Sequence, residues 1–405
     1  MTTAPEQDAA GSSYARVVRT PGMPAWSSAV LCQRLPVAAA PLALVYAGQA
    51  ATGSYAVGAL LAGVFALAEA VVAGPMGRRF DRHPAGPELR WVLAAQSVAM
   101  LGVGALAVLL VGAAPVWALI ALTAVAGAIT AGAHGGLRAL LLRSVDPAVH
   151  TAALSLEATA TTLLWAVGPA LVGLAAVLAG PAWPIVGVGV VAALGTVAAT
   201  ALRDPGPGAP ESATTEVRVW RRSWPALLQE GAVLLCVGGA YAALPPLLTL
   251  LGTDPDLAGP VLGAFAAVGI AGGLLYGSRV WRGSFATQSL VLVLVVAVAI
   301  GAAAVAPTAV VVAALLLAAG SVGTPALTAR ASGLQELLPP RCWATGFSGL
   351  YAAGGVGFGI AGLLSAALLE STGPRAALLA CAALAAVAAL VGGMAERRVR
   401  ADLMT

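Results

Sequence analysis

The sequence predicts an all-α membrane protein with twelve transmembrane helices in two pseudo-symmetric six-helix bundles. Composition is the first reason. Of 405 residues, 60% are hydrophobic and 9% charged, and the mean hydropathy is +0.92. A soluble domain is nearer half apolar and about a quarter charged. Punctuation is the second reason. Apolar runs of ~20 residues, enough for a helix to cross a bilayer, recur along the whole chain between short polar connections. The third is an internal repeat. Gly63, Phe65 and Ala66 match Gly263, Phe265 and Ala266, and Gly77, Arg79 and Arg82 match Gly277, Arg279 and Arg282, each pair 200 residues apart. Arg138, Pro147 and Ala152 match Arg330, Pro339 and Ala344 at a spacing of 192. Homologous six-span halves in the same orientation are what a parallel repeat about the membrane normal requires.

Residues 1–22 are polar, carry Arg16 and Arg19 and lack a secretory core; a disordered cytoplasmic tail is expected. The first bundle, 23–202, holds spans at about 25–47, 55–74, 89–112, 116–140, 151–179 and 183–202. Residues 203–223, rich in Pro, Gly, Ser, Glu and Arg, form the longest interior polar segment and read as a linker. The second bundle, 224–395, holds spans at about 226–251, 258–276, 286–305, 308–330, 344–369 and 374–394. Residues 396–405 are a basic, polar cytoplasmic tail.

Charge placement orients the chain. All 21 basic residues are arginine. With the N-terminus inside, 17 of them fall on inner segments and only Arg375 on an outer loop, the asymmetry that cytoplasmic loops carry. The net charge of +4 is accounted for by that topology and not by a nucleic-acid partner. Four cysteines without paired spacing and three scattered histidines give neither a disulfide framework nor a metal site, and no cofactor is implied. No hydrolase or metalloprotease motif is present, so an enzyme is not expected.

The densest charge lies at residues 74–83, read as Gly, Pro, Met, Gly, Arg, Arg, Phe, Asp, Arg and His. A tight inner turn is expected here, with Gly74 and Gly77 letting the backbone bend and helices approach. The spacing Gly77-x-x-x-Asp81-Arg82 resembles the loop between helices 2 and 3 of the major facilitator superfamily of secondary transporters. Pro84 stands where the family pattern has a second glycine. The resemblance implies two bundles around a central cavity, alternating access, and a monomer in a bacterial plasma membrane with both termini cytoplasmic. It also carries to Gly77, Asp81 and Arg82 the task of latching the inner side shut. Trp281 replaces the acid in the second repeat, so residues 277–282 are expected to serve topology alone. Gly168-Pro169 in span 5 resembles the Gly-Pro signature of drug/proton antiporters of the superfamily, with Gly173 one position late and the upstream glycines absent.

Ionisable groups inside spans are costly and face a cavity or a partner. Arg34, Glu69, His134, Arg138 and Glu157 are the first-half candidates for a proton or substrate site, and all of them could line one inward-facing cavity. Glu69, near the bilayer midplane, is read as functional. Glu157 and Arg138 read as a pair bracing spans 4 and 5, and His134 as a packing or hydrogen-bonded residue. Arg34 fits either role. The expected activity is proton-coupled efflux of small amphipathic or drug-like molecules, with substrate, proton and lipid bilayer as partners. A transporter of a sugar or organic anion, and a non-transporting sensor on the same fold, are the alternatives.

Overall fold

The computed structural model describes residues 13–204, 213–254, 257–369 and 371–401. Among them are twelve helices long and apolar enough to cross a membrane. The first six are α1 (Met23–Thr52), α2 (Tyr55–Arg82), α3 (Ala85–Leu109), α4 (Val116–Ser144), α5 (His150–Ala179) and α6 (Trp183–Ala198). The second six are α7 (Ala213–Leu250), α8 (Ala258–Gly277), α9 (Phe285–Val305), α10 (Ala309–Leu337), α11 (Trp343–Leu369) and α12 (Pro374–Ala401). The fold is the predicted all-α one: in hydrocarbon only a helix satisfies its own backbone polar groups. Short polar side chains begin several helices. Ser54, Ser284 and Thr308 each accept from the N–H three residues on, satisfying donors that the first turn leaves free. Exposed Leu67, Val71, Val98, Val177, Val298 and Leu363 form the apolar exterior. Trp117 and Trp183 stand exposed at one end, Trp91 and Trp224 at the other, where indoles sit at a membrane–water boundary.

Helix ends depart from the expected ones in four places, for one physical reason: hydropathy marks where lipid stops, whereas a helix stops where its hydrogen bonding does. The expected turn at 74–83 is helical as far as Arg82, and the chain turns only at His83 and Pro84. Gly74 and Gly77 therefore serve close approach and not bending. The helix α7 starts at Ala213, inside the expected linker, whose residues 205–212 lie outside the described part. The helix α12 runs to Ala401, and Glu396, expected in a tail, is fully buried. Residues 13–19 are helical, and Val17 is fully buried; residues 1–12 and 402–405 are not described.

Three apolar cores result. One belongs to the first half (Leu44, Leu61, Met100, Leu119 and Ile185 among others) and one to the second (Leu244, Val293, Ile300, Leu316 and Leu378). The third is shared: Trp26, Phe80, Leu137 and Leu154 pack with Leu334, Trp343, Phe347 and Leu350. It lies at the arginine-rich end, so that is where the halves are pressed together. The helix α4 breaks at Ala131–Gly132. There Gly132 rests on the backbone of Met76 and Gly77, and its carbonyl accepts from Ser348 Oγ at 3.3 Å.

Candidate functional site

Five of the eight residues singled out from sequence meet below the middle of the bundle. Glu157, from α5, is the hub. Its carboxylate pairs with Arg34 of α1 and, at 2.6 Å, with Arg138 of α4. Arg34 also bonds to Thr161 Oγ1, one turn beyond Glu157. The Nε2 atom of His134 lies 3.8 Å from the Glu157 carboxylate. Both Arg34 and Glu157 are almost wholly excluded from solvent, at 3% and 1% exposure. Two guanidiniums on one carboxylate are what makes that depth tolerable: an isolated ion there would cost several kcal/mol, about 3–5 of which return when a partner is removed. The first-half charges thus form a packed network at the closed end, where an inward-facing cavity was expected.

Glu69 joins this network through the other half. Its side chain meets the hydroxyl of Tyr351 on α11. The Tyr351 ring in turn stacks on His134, centroids 4.3 Å apart. The guanidinium of Arg138 lies over the Phe347 ring, 5.5 Å from its centroid, a cation–π arrangement. Glu230 of α7 faces Arg138 across the same interface. Sequence reasoning missed Tyr351 because a phenol is not charged at neutral pH. Its signal was a lone tyrosine three residues before the glycine-rich run that starts at Gly354.

The other three predicted residues lie at the arginine-rich end of α2. Asp81 is buried and reaches the first turn of α11. It accepts from the N–H groups of Ala344 (2.9 Å) and Thr345 (2.8 Å) and from Thr345 Oγ1 (2.5 Å). A carboxylate on a helix N-terminus meets both unsatisfied donors and the positive end of the dipole. Gly77 makes the contact possible: a Cβ there would sit 2.8 Å from Thr345 Cα and 2.9 Å from Ser348 Oγ. Arg82 is exposed. Arg79 binds Glu88 with a two-pronged contact at 3.0 and 3.1 Å. The second repeat has no such acid, yet Gly277 is not idle, for Ser155 of α5 occupies the space its Cβ would fill. Arg330, the repeat mate of Arg138, makes a bidentate pair with Glu396 at 2.8 and 3.1 Å, and both are fully buried. A hollow of about 490 Å³ at the opposite end, between Gln49, Val111 and Trp183, lies within the first half and carries no ionised group.

Twelve spans in two like halves, clasped at one end and each with its own core toward the other, define a secondary-transporter architecture. The Major Facilitator Superfamily model matches residues 27–332, and the chain belongs to that family. No curated protein matches the sequence. Among solved structures it is similar to the human organic anion transporter MFSD10 (TETRAN), with 15% identity, a TM-score of 0.64, and coverage of 96% of this chain and 100% of that one. It is also similar to a bacterial homologue of the iron transporter ferroportin in an outward-facing state, at 15% identity and TM-score 0.72, covering 93% and 99%. With soaked iron the same homologue gives 0.67. At that identity the likeness is one of fold.

Proposed function

We propose that the protein is an alternating-access exporter that exchanges small amphipathic molecules for protons, with Glu69 as the proton-carrying group and the arginine-rich face cytoplasmic. One observation carries the reading: the partner of Glu69 belongs to the opposite half. When the halves touch at the cytoplasmic end, Glu69 is buried against Tyr351. When they part, it loses that hydroxyl and meets cytoplasmic water. A carboxyl whose solvation alternates with the transport cycle binds and releases protons on alternate sides. Asp81 on α11 is the latch of the closed state. Glu157, held by Arg34 and Arg138 from its own half, keeps its partners throughout the cycle and braces the first bundle.

Proteoliposomes test the proposal. A pH gradient should drive uptake of a lipophilic substrate into inside-acidic vesicles containing the wild type. Glu69→Gln should abolish gradient-driven flux while leaving counterflow exchange intact. Undiminished gradient-driven flux in that variant would remove Glu69 from coupling. Two guanidiniums around one carboxylate favour a second reading, transport of an organic anion. A thermal-shift screen of organic anions against lipophilic cations separates the two.

A further inference from the structure

Two seams join the halves at the arginine-rich end, and the repeat relates them. One is α2 against α11, closed by Asp81. The other is α5 against α8, where Trp281 stands in place of the acid. Part of what holds the second seam comes from outside both bundles. Ser155 on α5 donates to the Gly273 carbonyl on α8. The hydroxyl of Tyr14, from the helical segment 13–19 that precedes α1, donates to the Leu274 carbonyl of α8 at 2.6 Å. It also lies 3.3 Å from Ser155 Oγ. A Cβ on Gly277 would come within 2.6 Å of that same hydroxyl, so the glycine leaves room for the tyrosine as well as for the serine. Val17, one turn on, is fully buried in the core shared by the halves, which anchors the segment. Burial pushes the Tyr14 phenol up from its ordinary value, so it stays a hydrogen-bond donor at physiological pH.

Tyr14 therefore touches α5 of one half and α8 of the other with a single hydroxyl. A group that binds only when two bodies meet stabilises the state in which they meet. We propose that the segment 13–19 is a third part of the cytoplasmic gate, with Tyr14 doing at the α5–α8 seam what Asp81 does at the α2–α11 seam. The proposal rests on the alternating-access reading but not on proton coupling or on any substrate.

Distance measurement between spin labels tests it. Labels at Ala148→Cys, just before α5, and Val280→Cys, just after α8, are both on exposed positions and report the width of this seam. The four native cysteines are replaced by alanine. Tyr14→Phe, which keeps the ring, should raise the wide-seam population about three- to tenfold, the size of effect one lost hydrogen bond produces. Tyr14→Ala should raise it further. Asp81→Asn serves as the control for the gate itself. If it widens the seam and both Tyr14 variants keep the wild-type distribution, the tail's role is refuted and alternating access stands. If none of the three variants widens the seam, the gate reading and this inference fall together.

Discussion

At the residue scale, the buried charges divide by where their partners live. Glu157 is satisfied by α1 and α4 of its own bundle, so its removal is a folding problem. Glu157→Gln leaves Arg34 and Arg138 as uncompensated buried cations and should lower stability by about 3–5 kcal/mol, seen as a reduced Tm in detergent. Glu69→Gln should not, since a neutral amide of the same shape leaves no buried charge without a partner. Tyr351→Phe keeps the ring against His134 and removes only the hydroxyl. We expect it to slow gradient-driven flux roughly tenfold, the order of one hydrogen bond to a charged group, with an unchanged Tm. A fall in Tm matching that of Glu157→Gln would make Tyr351 structural. The candidate charges were legible in the sequence because each is so expensive in a span. Of their pairings the sequence offered only Glu157 with Arg138; that Arg34 joins them was not legible, because it comes from a third span and chain order does not say which faces meet. Tyr351 and Tyr14 were illegible for a further reason: an aromatic hydroxyl in an apolar run looks like core.

At the element scale, the informative helices are those that outrun the bilayer. Hydropathy located all twelve spans but could not say that α2 continues through Pro75 to Arg82, or that α7 begins at Ala213. The extra turns are where the halves touch. Trp220, in the part of α7 expected to be linker, packs against Gly74 of α2 and Gly349 of α11. The Asp81 contact is likewise an element-level device, a cap donated by one helix to the start of another. Asp81→Asn removes the charge and one of the two oxygens that three donors share, and a hydrogen bond to a charged group is worth about 1.5–3 kcal/mol. The substitution should therefore open that end severalfold. Cys342, buried beside the α11 N-terminus, is a native reporter: its alkylation by a membrane-impermeant maleimide should accelerate about five- to tenfold in that variant. An unchanged rate would show that the cap does not hold the gate.

At the scale of the whole molecule, the even number of spans puts both described ends of the chain on the arginine-rich side, which the proposed orientation places in the cytoplasm. A cysteine at the exposed His83 turn should be labelled in inverted vesicles and protected in intact cells; the opposite pattern would invert the topology. The halves are alike in plan and in fastening. The first braces its inner end with Glu157 between Arg34 and Arg138, the second with Glu396 between Arg330 and Arg400. Glu396→Gln should accordingly destabilise the protein on the same scale as Glu157→Gln, and because Glu230 faces both Arg138 and Arg330 the two losses should depart from simple addition.

One feature of α2 has a mechanical meaning. Glu69 and Asp81 ride on a single unbroken helix, ~18 Å apart along its axis, and their counterparts Tyr351, Ala344 and Thr345 all ride on α11. Two stiff rods are thus buttoned together twice, once deep in the bilayer and once at its margin. In the proposed cycle the two must therefore part and meet together: opening the margin wets the deep site, and closing the margin squeezes it dry again, with no intervening relay.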